Sequence, residues 1–277
     1  MNITQQASSK SNGMKVVILC GGEGTRMKEE TEFKPKPLVL VGGKPVLWHI
    51  MKIYQHYGYN EFILALGYKG DMIKDYFLNW RAFANDFTLE TKEHTLKFHN
   101  KNHDDFKITF VDTGPKSLTG ERLRRIRPYL EQEDFMVTYG DGVADIDMAA
   151  LVDFHKKQGT VGTITGVRPL TKLGIVHHDR QTNKVIGFTQ NLVGDFVDKE
   201  NYHDFLINGG FMVFKPSVFE QLKPDAMIEE LFIPLVKQGQ LSMYHHKGKW
   251  KSMDTYKEVE EMNHYWDKDP FWKIWKE

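Results

Sequence analysis

The sequence predicts an α/β fold, a mostly parallel sheet with helices on both faces, and three observations predict it. Short apolar runs alternate with helical patterns through the first half of the chain. Four of those runs, at 15–20, 61–66, 107–112 and 135–139, read as strands, and strand alternating with helix implies parallel strands covered on both faces. The first and last run straight into glycine turns, at Gly21 and Gly140. Those turns fall at the carboxyl ends of strands, where open α/β sheets gather their ligands.

Taken in order, the strand at 15–20 is the run Val16-Val17-Ile18-Leu19-Cys20, too short and too β-branched for a helix. Helical spacing follows at 45–57, then the strand at 61–66, a helix at 71–78, the strand at 107–112, a helix at 120–129 and the strand at 135–139. Between them, 86–105 is polar and His-rich and reads as a mobile excursion. A helix at 146–158 closes this half. Short β-rich pieces then occupy 160–166, 174–178, 184–188 and 206–214, followed by a helix at 227–238 and a strand at 241–245. The tail carries Tyr265, Trp266, Phe271, Trp272 and Trp275, an aromatic set that suits anchoring of a terminal helix to the body. Residues 1–13 are polar and read as a disordered tail, and 14–277 as a single domain with parts at 14–145 and 146–277.

Composition narrows the function classes. Lys+Arg and Asp+Glu are both 37, so the formal net charge is zero and no basic excess is left for coating nucleic acid. One cysteine, Cys20, excludes an intrachain disulfide framework, and its place at the end of an apolar strand makes it a buried thiol. No apolar run is long enough to span a membrane, and the first residues lack the apolar core of a signal peptide, so the expected compartment is the cytoplasm.

The most specific stretch is GGEGTRMKEETEFKPKP at 21–37. Glycines at 21, 22 and 24 let the backbone approach an anion and point N–H groups at it. Arg26, Lys34 and Lys36 add positive charge around the same spot, the lysines framed by prolines that restrict the backbone. A nucleoside triphosphate suits that set. The loop lacks the Gly-Lys-Ser/Thr ending of a P-loop and the G-x-G-x-x-G pattern of dinucleotide enzymes.

GG-x-GTR, then KPKP and GGKPVLWHIM, resemble the sugar-nucleotide pyrophosphorylases, or nucleotidylyltransferases. Thr119–Leu123, TYGDGVAD at 138–145, Ile207-Asn208-Gly209-Gly210 and Met253-Asp254-Thr255 extend the resemblance over about 14–277, and the TYGDGVAD and WHIM segments point to the cytidylyl branch that acts on glucose 1-phosphate. The resemblance implies a Rossmann-like, three-layer α/β/α fold with a small β-rich sugar-binding part. It implies Mg2+-dependent transfer of CMP from CTP to a sugar 1-phosphate, in a homo-oligomer that supplies CDP-sugars for surface polysaccharide. By the same resemblance Arg26 and Lys36 are catalytic, the first on the β- and γ-phosphates and the second on the α-phosphate. Gly21, Gly22, Gly24, Thr25, Gly120, Arg122 and Gly140 hold the nucleotide, with Gly120 and Arg122 reading the base. Asp141 and Asp254 hold the metal, and Gln190, Asn191, Asn208 and Gly209 face the acceptor. Read without the resemblance, Asp141-Gly142 is a turn signal and Asp254 a helix cap.

One departure stands out. The family's Phe-x-Glu-Lys-Pro segment is here Phe188-Thr189-Gln190-Asn191-Leu192, so both charges are gone. Losing a charge-assisted bond to phosphate costs about 1.5–3 kcal/mol. Either another cation, from Lys172, Arg168 or Lys199, enters the site, or the acceptor is a different phosphorylated compound. A third reading is a non-catalytic protein that binds CTP without releasing pyrophosphate.

Overall fold

The computed structural model describes residues 13–27, 31–99, 104–168, 175–178, 184–189 and 206–276, with the strands at 175–178 and 185–189 described through their backbone. Its centre is β1 (Val16–Cys20), every residue of which is buried. β4 (Glu61–Leu66) and β8 (Phe135–Tyr139) pair with it in parallel on either side. The sheet extends beyond β4 to β7 (Lys107–Asp112), again parallel. Beyond β8 it extends to β13 (Ile207–Phe214), β10 (Gly162–Val167) and β14 (Leu241–His245). β13 runs antiparallel to both neighbours and makes the seven-stranded sheet mixed. The second half of the chain therefore extends the sheet begun by the first.

Alternation along β1 explains the layers. Val16, Ile18 and Cys20 point into one apolar cluster, with α1 (Val46–His56), α4 (Met148–Gln158) and α6 (Tyr256–Lys268) packed there through Ile50, Met51, Leu151, Val259 and Met262. α2 (Gly70–Ala84) adds Ile73 to the same side. Val17 and Leu19 point into the other cluster, against Leu123 and Ile126 of α3 (Thr119–Ile126) and Ile228, Leu231 and Leu235 of α5 (Ile228–Lys237). Helices on both faces of one sheet make three α/β/α layers. Cys20 is buried, and burial pushes its thiol well above the ordinary range.

The terminal aromatics anchor the chain end. Trp272 is fully buried and its indole N–H donates to Nδ1 of His49 at 3.3 Å, while His49 Nε2 donates to the carbonyl of Val41 at 2.8 Å. Burial lowers the pKa of His49 to about 4, which keeps the ring neutral in that role.

Two features differ from the sequence expectation. The stretch 86–105, for which the sequence offered no element, contains a hairpin, β5 (Phe87–Glu90) with β6 (Thr95–Phe98); Phe87–Phe98 and Leu89–Leu96 are cross-strand pairs. And α2 runs to Ala84, well past the expected end at 78, with Phe77 stacked on Trp80 and Tyr76 edge-on to both along the helix.

Candidate active site

The carboxyl ends of β1 and β8 open onto a cleft lined by Gly21, Gly22, Gly24, Lys36, Arg122, Tyr139, Gly140 and Asp141, which continues past Thr25 to Asp254. The glycine loop forms its floor. Gly24 has φ +63, a conformation costly for any residue with a Cβ, and its carbonyl receives the N–H of Met27 at 2.9 Å to make a single tight turn at Thr25–Met27. Thr31, which the sequence reading passed over, ties this turn down: its hydroxyl faces the carbonyls of Gly24 at 3.1 Å and Met27 at 2.9 Å. Lys69, in the left-handed conformation, reaches the carbonyls of Thr31 and Glu32. The side chain of Arg26 lies outside the described residues.

Lys36 opens a short helical turn, Lys36–Leu38, between Pro35 and Pro37. Its ammonium donates to Asp141 Oδ2 at 2.6 Å and Asp254 Oδ1 at 2.9 Å. Burial alone would lower its pKa, but the charge of Asp141 and the hydrogen bonds to both carboxylates outweigh burial and raise it.

The two carboxylates meet because of a small ladder that the sequence did not disclose. β9 (Gly142–Ala144) leaves the end of β8 and pairs antiparallel with β15 (Trp250–Ser252). The N–H of Met253 donates to the carbonyl of Asp141 at 3.0 Å, which sets Asp254 beside Asp141. Glu258 then accepts from the backbone N–H groups of Asp254 at 2.7 Å and Thr255 at 2.8 Å. The residue that caps α6 is Thr255 rather than Asp254.

Gly140 and Gly120 act through close approach. A Cβ on Gly140 would stand 3.1 Å from the carbonyl of Leu19 and from Pro37, and one on Gly120 would stand 2.8 Å from the carbonyl of Ala226. Gly120 thus lets the start of α3 dock on 226–227, with its own N–H donating to Ala226 at 3.0 Å. This docking brings Leu118, Thr119 and Met227 together as the far wall of the cleft. Tyr139 completes that side; burial and its bond to Glu229 hold its hydroxyl protonated, far above the ordinary range.

Arg122, expected at the base, lines the cleft and also makes a set of structural bonds beneath it. Its guanidinium lies between Gly21 and Gly67, where a Cβ on either would come within 2.3 Å of it. It donates to the carbonyl of Gly21 (2.7 Å), the carbonyls of Leu66 (3.0 Å) and Gly114 (2.8 Å), and the hydroxyl of Thr113 (2.7 Å). It borders the cleft while clasping the ends of β1, β4 and β7.

At the Asn208-Gly209 segment, expected to face the acceptor, Asn208 Oδ1 accepts the N–H of Gly210 at 3.0 Å, and the indole N–H of Trp250 donates to the carbonyl of Gly209 at 2.8 Å. Trp250 belongs to the strand that leads to Asp254, so one side chain joins the Asn208-Gly209 segment to the carboxylate pair. Gln190 and Asn191 lie outside the described residues.

The sequence profile of a family described as nucleotidyl transferase matches residues 15–268. The chain belongs to the nucleotidyl transferase family. Among nucleotidyl transferases it is 42% identical over 266 residues, 95% of this chain and the full length of the relative, to a probable glucose-1-phosphate cytidylyltransferase of Bacillus subtilis. It is likewise 42% identical over 267 residues, at the same coverage, to the glucose-1-phosphate cytidylyltransferase of Salmonella typhi. Among solved structures, a UDP-glucose pyrophosphorylase complexed with UDP-glucose shares the fold at TM-score 0.64 and 15% identity, over 92% of this chain and 98% of that one. This chain is therefore a nucleotidyltransferase enzyme, and among its described residues no helix is long and apolar enough to cross a membrane.

Proposed function

We propose that this nucleotidyltransferase moves CMP from CTP to glucose 1-phosphate, giving CDP-glucose and pyrophosphate. The observation that carries the reading is full-length identity of 42% to glucose-1-phosphate cytidylyltransferases. A glycine loop, a lysine and two carboxylates converging on one cleft support it.

In this reading the triphosphate lies over 21–25, where backbone N–H groups and Arg26 meet the β- and γ-phosphates. A phosphate oxygen of the sugar attacks the α-phosphorus, and the bond to the β-phosphate oxygen breaks as pyrophosphate leaves. Lys36, held on a proline-framed turn, neutralises charge that builds on the α-phosphate. The donor set fits magnesium: two hard carboxylates whose oxygens both come within 2.9 Å of one cationic nitrogen, the low protein ligand count that this ion takes. Held by Asp141 and Asp254, magnesium would neutralise the phosphates and fix them in line. Thr119, Leu118 and Met227 form the wall against which the cytosine would rest, with Arg122 ordering the loop beneath it.

On the acceptor side, Asn208 and Gly209 would meet the sugar, with Gln190 and Asn191 in place of the usual charged pair. Of the cations that could replace the lost lysine, Arg168 directly follows Val167, which pairs with Ile207 beside Asn208. That register supports Arg168 as the group that meets the sugar phosphate. The part at 14–145 then supplies most of the nucleotide site, and the part at 146–277 serves the acceptor while contributing Met227 and Asp254 to the nucleotide side. The remaining elements of the reading are a cytoplasmic homo-oligomer that binds no nucleic acid, with a product used for surface polysaccharide.

A panel of sugar 1-phosphates and non-sugar phosphates, each supplied with CTP, tests the acceptor. Glucose 1-phosphate is expected to give the highest kcat/KM. A tenfold preference for another phosphate would show that Gln190-Asn191 marks a changed acceptor.

A further inference from the structure

The ammonium of Lys36 lies between Asp141 Oδ2 and Asp254 Oδ1, at 2.6 and 2.9 Å. Those are the oxygens assigned above to a divalent cation, and the inference rests on that assignment. Magnesium binds oxygen at about 2.0–2.1 Å, so an ion on these carboxylates and an ammonium on the same oxygens would stand about 4 Å apart, both positive and shielded by little water. That repulsion opposes sharing of the pair. We propose that Lys36 is a resident counter-cation which the metal must displace, and that displacement delivers its ammonium to the nucleotide side of the cleft.

The local structure permits that exchange without loop movement. The Lys36 backbone is fixed by Pro35, by Pro37 and by the bond from Leu38 N–H to the Pro35 carbonyl at 2.8 Å. Its four-carbon stem keeps its rotors, and only the head has to change partners. The start of that stem faces the glycine loop, since a Cβ on Gly24 would stand 3.5 Å from Cβ of Lys36. A head released from the carboxylates therefore turns within a cleft whose floor is the phosphate-facing loop. Metal and triphosphate become linked: the metal costs the protein an ion pair with each aspartate, and the triphosphate supplies the anion that receives the lysine. Each ligand then tightens the other by the same factor.

Manganese binding to the full chain, read by the loss of free-ion EPR signal without nucleotide, tests this. Lys36→Met is expected to bind Mn2+ at least tenfold more tightly than the parent protein. Lys116→Met, which removes an equal charge from the same cleft without freeing the carboxylates, is expected to change affinity less than threefold. Equal tightening in both variants would reduce the effect to long-range charge and overturn the exchange, as would no tightening in Lys36→Met. A second measurement needs no variant: the 15N signal of the Lys36 ammonium is expected to move on addition of Mg2+ alone, and an unmoved signal in a metal-saturated sample would overturn it. The metal assignment fails separately, if Lys36→Met/Asp141→Asn binds Mn2+ as tightly as Lys36→Met.

Discussion

Asp141→Asn will lower kcat/KM by about a thousandfold or more while leaving the fold intact. The substitution keeps the shape of the side chain, and the backbone carbonyl of Asp141 still receives the N–H of Met253, so the β9–β15 ladder that positions Asp254 is untouched. What disappears is one of the two carboxylate charges proposed to hold magnesium. Metal stabilisation of charge on a transferring phosphoryl group is worth several kcal/mol, and about 1.4 kcal/mol is tenfold in rate. Steady-state kinetics with thermal melting checks it: turnover nearly gone with only a small fall in melting temperature, from the weakened Lys36–Asp141 pair, is the expected pair of results. Turnover within tenfold of the parent would refute the metal role of Asp141.

Arg122→Met has its largest effect on stability. The guanidinium satisfies the carbonyls of Gly21, Leu66 and Gly114 and the hydroxyl of Thr113, in a place only 3% exposed. Methionine fills part of the space and donates nothing; the carbonyl of Gly114 loses its donor, while the carbonyls of Gly21 and Leu66 keep the N–H groups of Tyr68 and Thr113, and a polar group left unsatisfied costs about 1–3 kcal/mol. A loss of about 2 kcal/mol corresponds to a fall in melting temperature of roughly 4–8 °C for a chain of this size. Because Gly21 is the first residue of the glycine loop, KM for CTP rises as well. A variant that melts with the parent protein but no longer discriminates CTP from other nucleotides would contradict the clasp and return Arg122 to reading the base.

These two residues also mark how far the sequence could be read. The parallel strands β1, β4 and β8 were legible because a strand buried on both faces is apolar almost throughout, and β7, at the sheet edge with Lys107 and Asp112 exposed, through its alternation with the neighbouring helices. The glycine loop and both aspartates were legible through their motifs. The β9–β15 ladder was not, because it joins segments far apart in the chain whose short strands carry no alternation of their own. Nor was the clasp: Arg122 stands out as a motif residue, but its role depends on Gly21 and Gly67 leaving room on both sides, a fact of three dimensions. Met227 looked like the start of a helix and became part of the cleft wall only through the docking of Gly120. The β5–β6 hairpin was hidden by polar neighbours, since its four apolar residues are exposed or half-buried and give no core signal.

The most direct measurement is pyrophosphate release by the purified chain with glucose 1-phosphate, magnesium, and CTP, UTP, dTTP or GTP in turn. Release with CTP, at least a hundredfold above the other three nucleotides, with CDP-glucose as the second product, is the predicted result. Equal turnover with several nucleotides, or CTP binding with no pyrophosphate released in the presence of magnesium and glucose 1-phosphate, would contradict it.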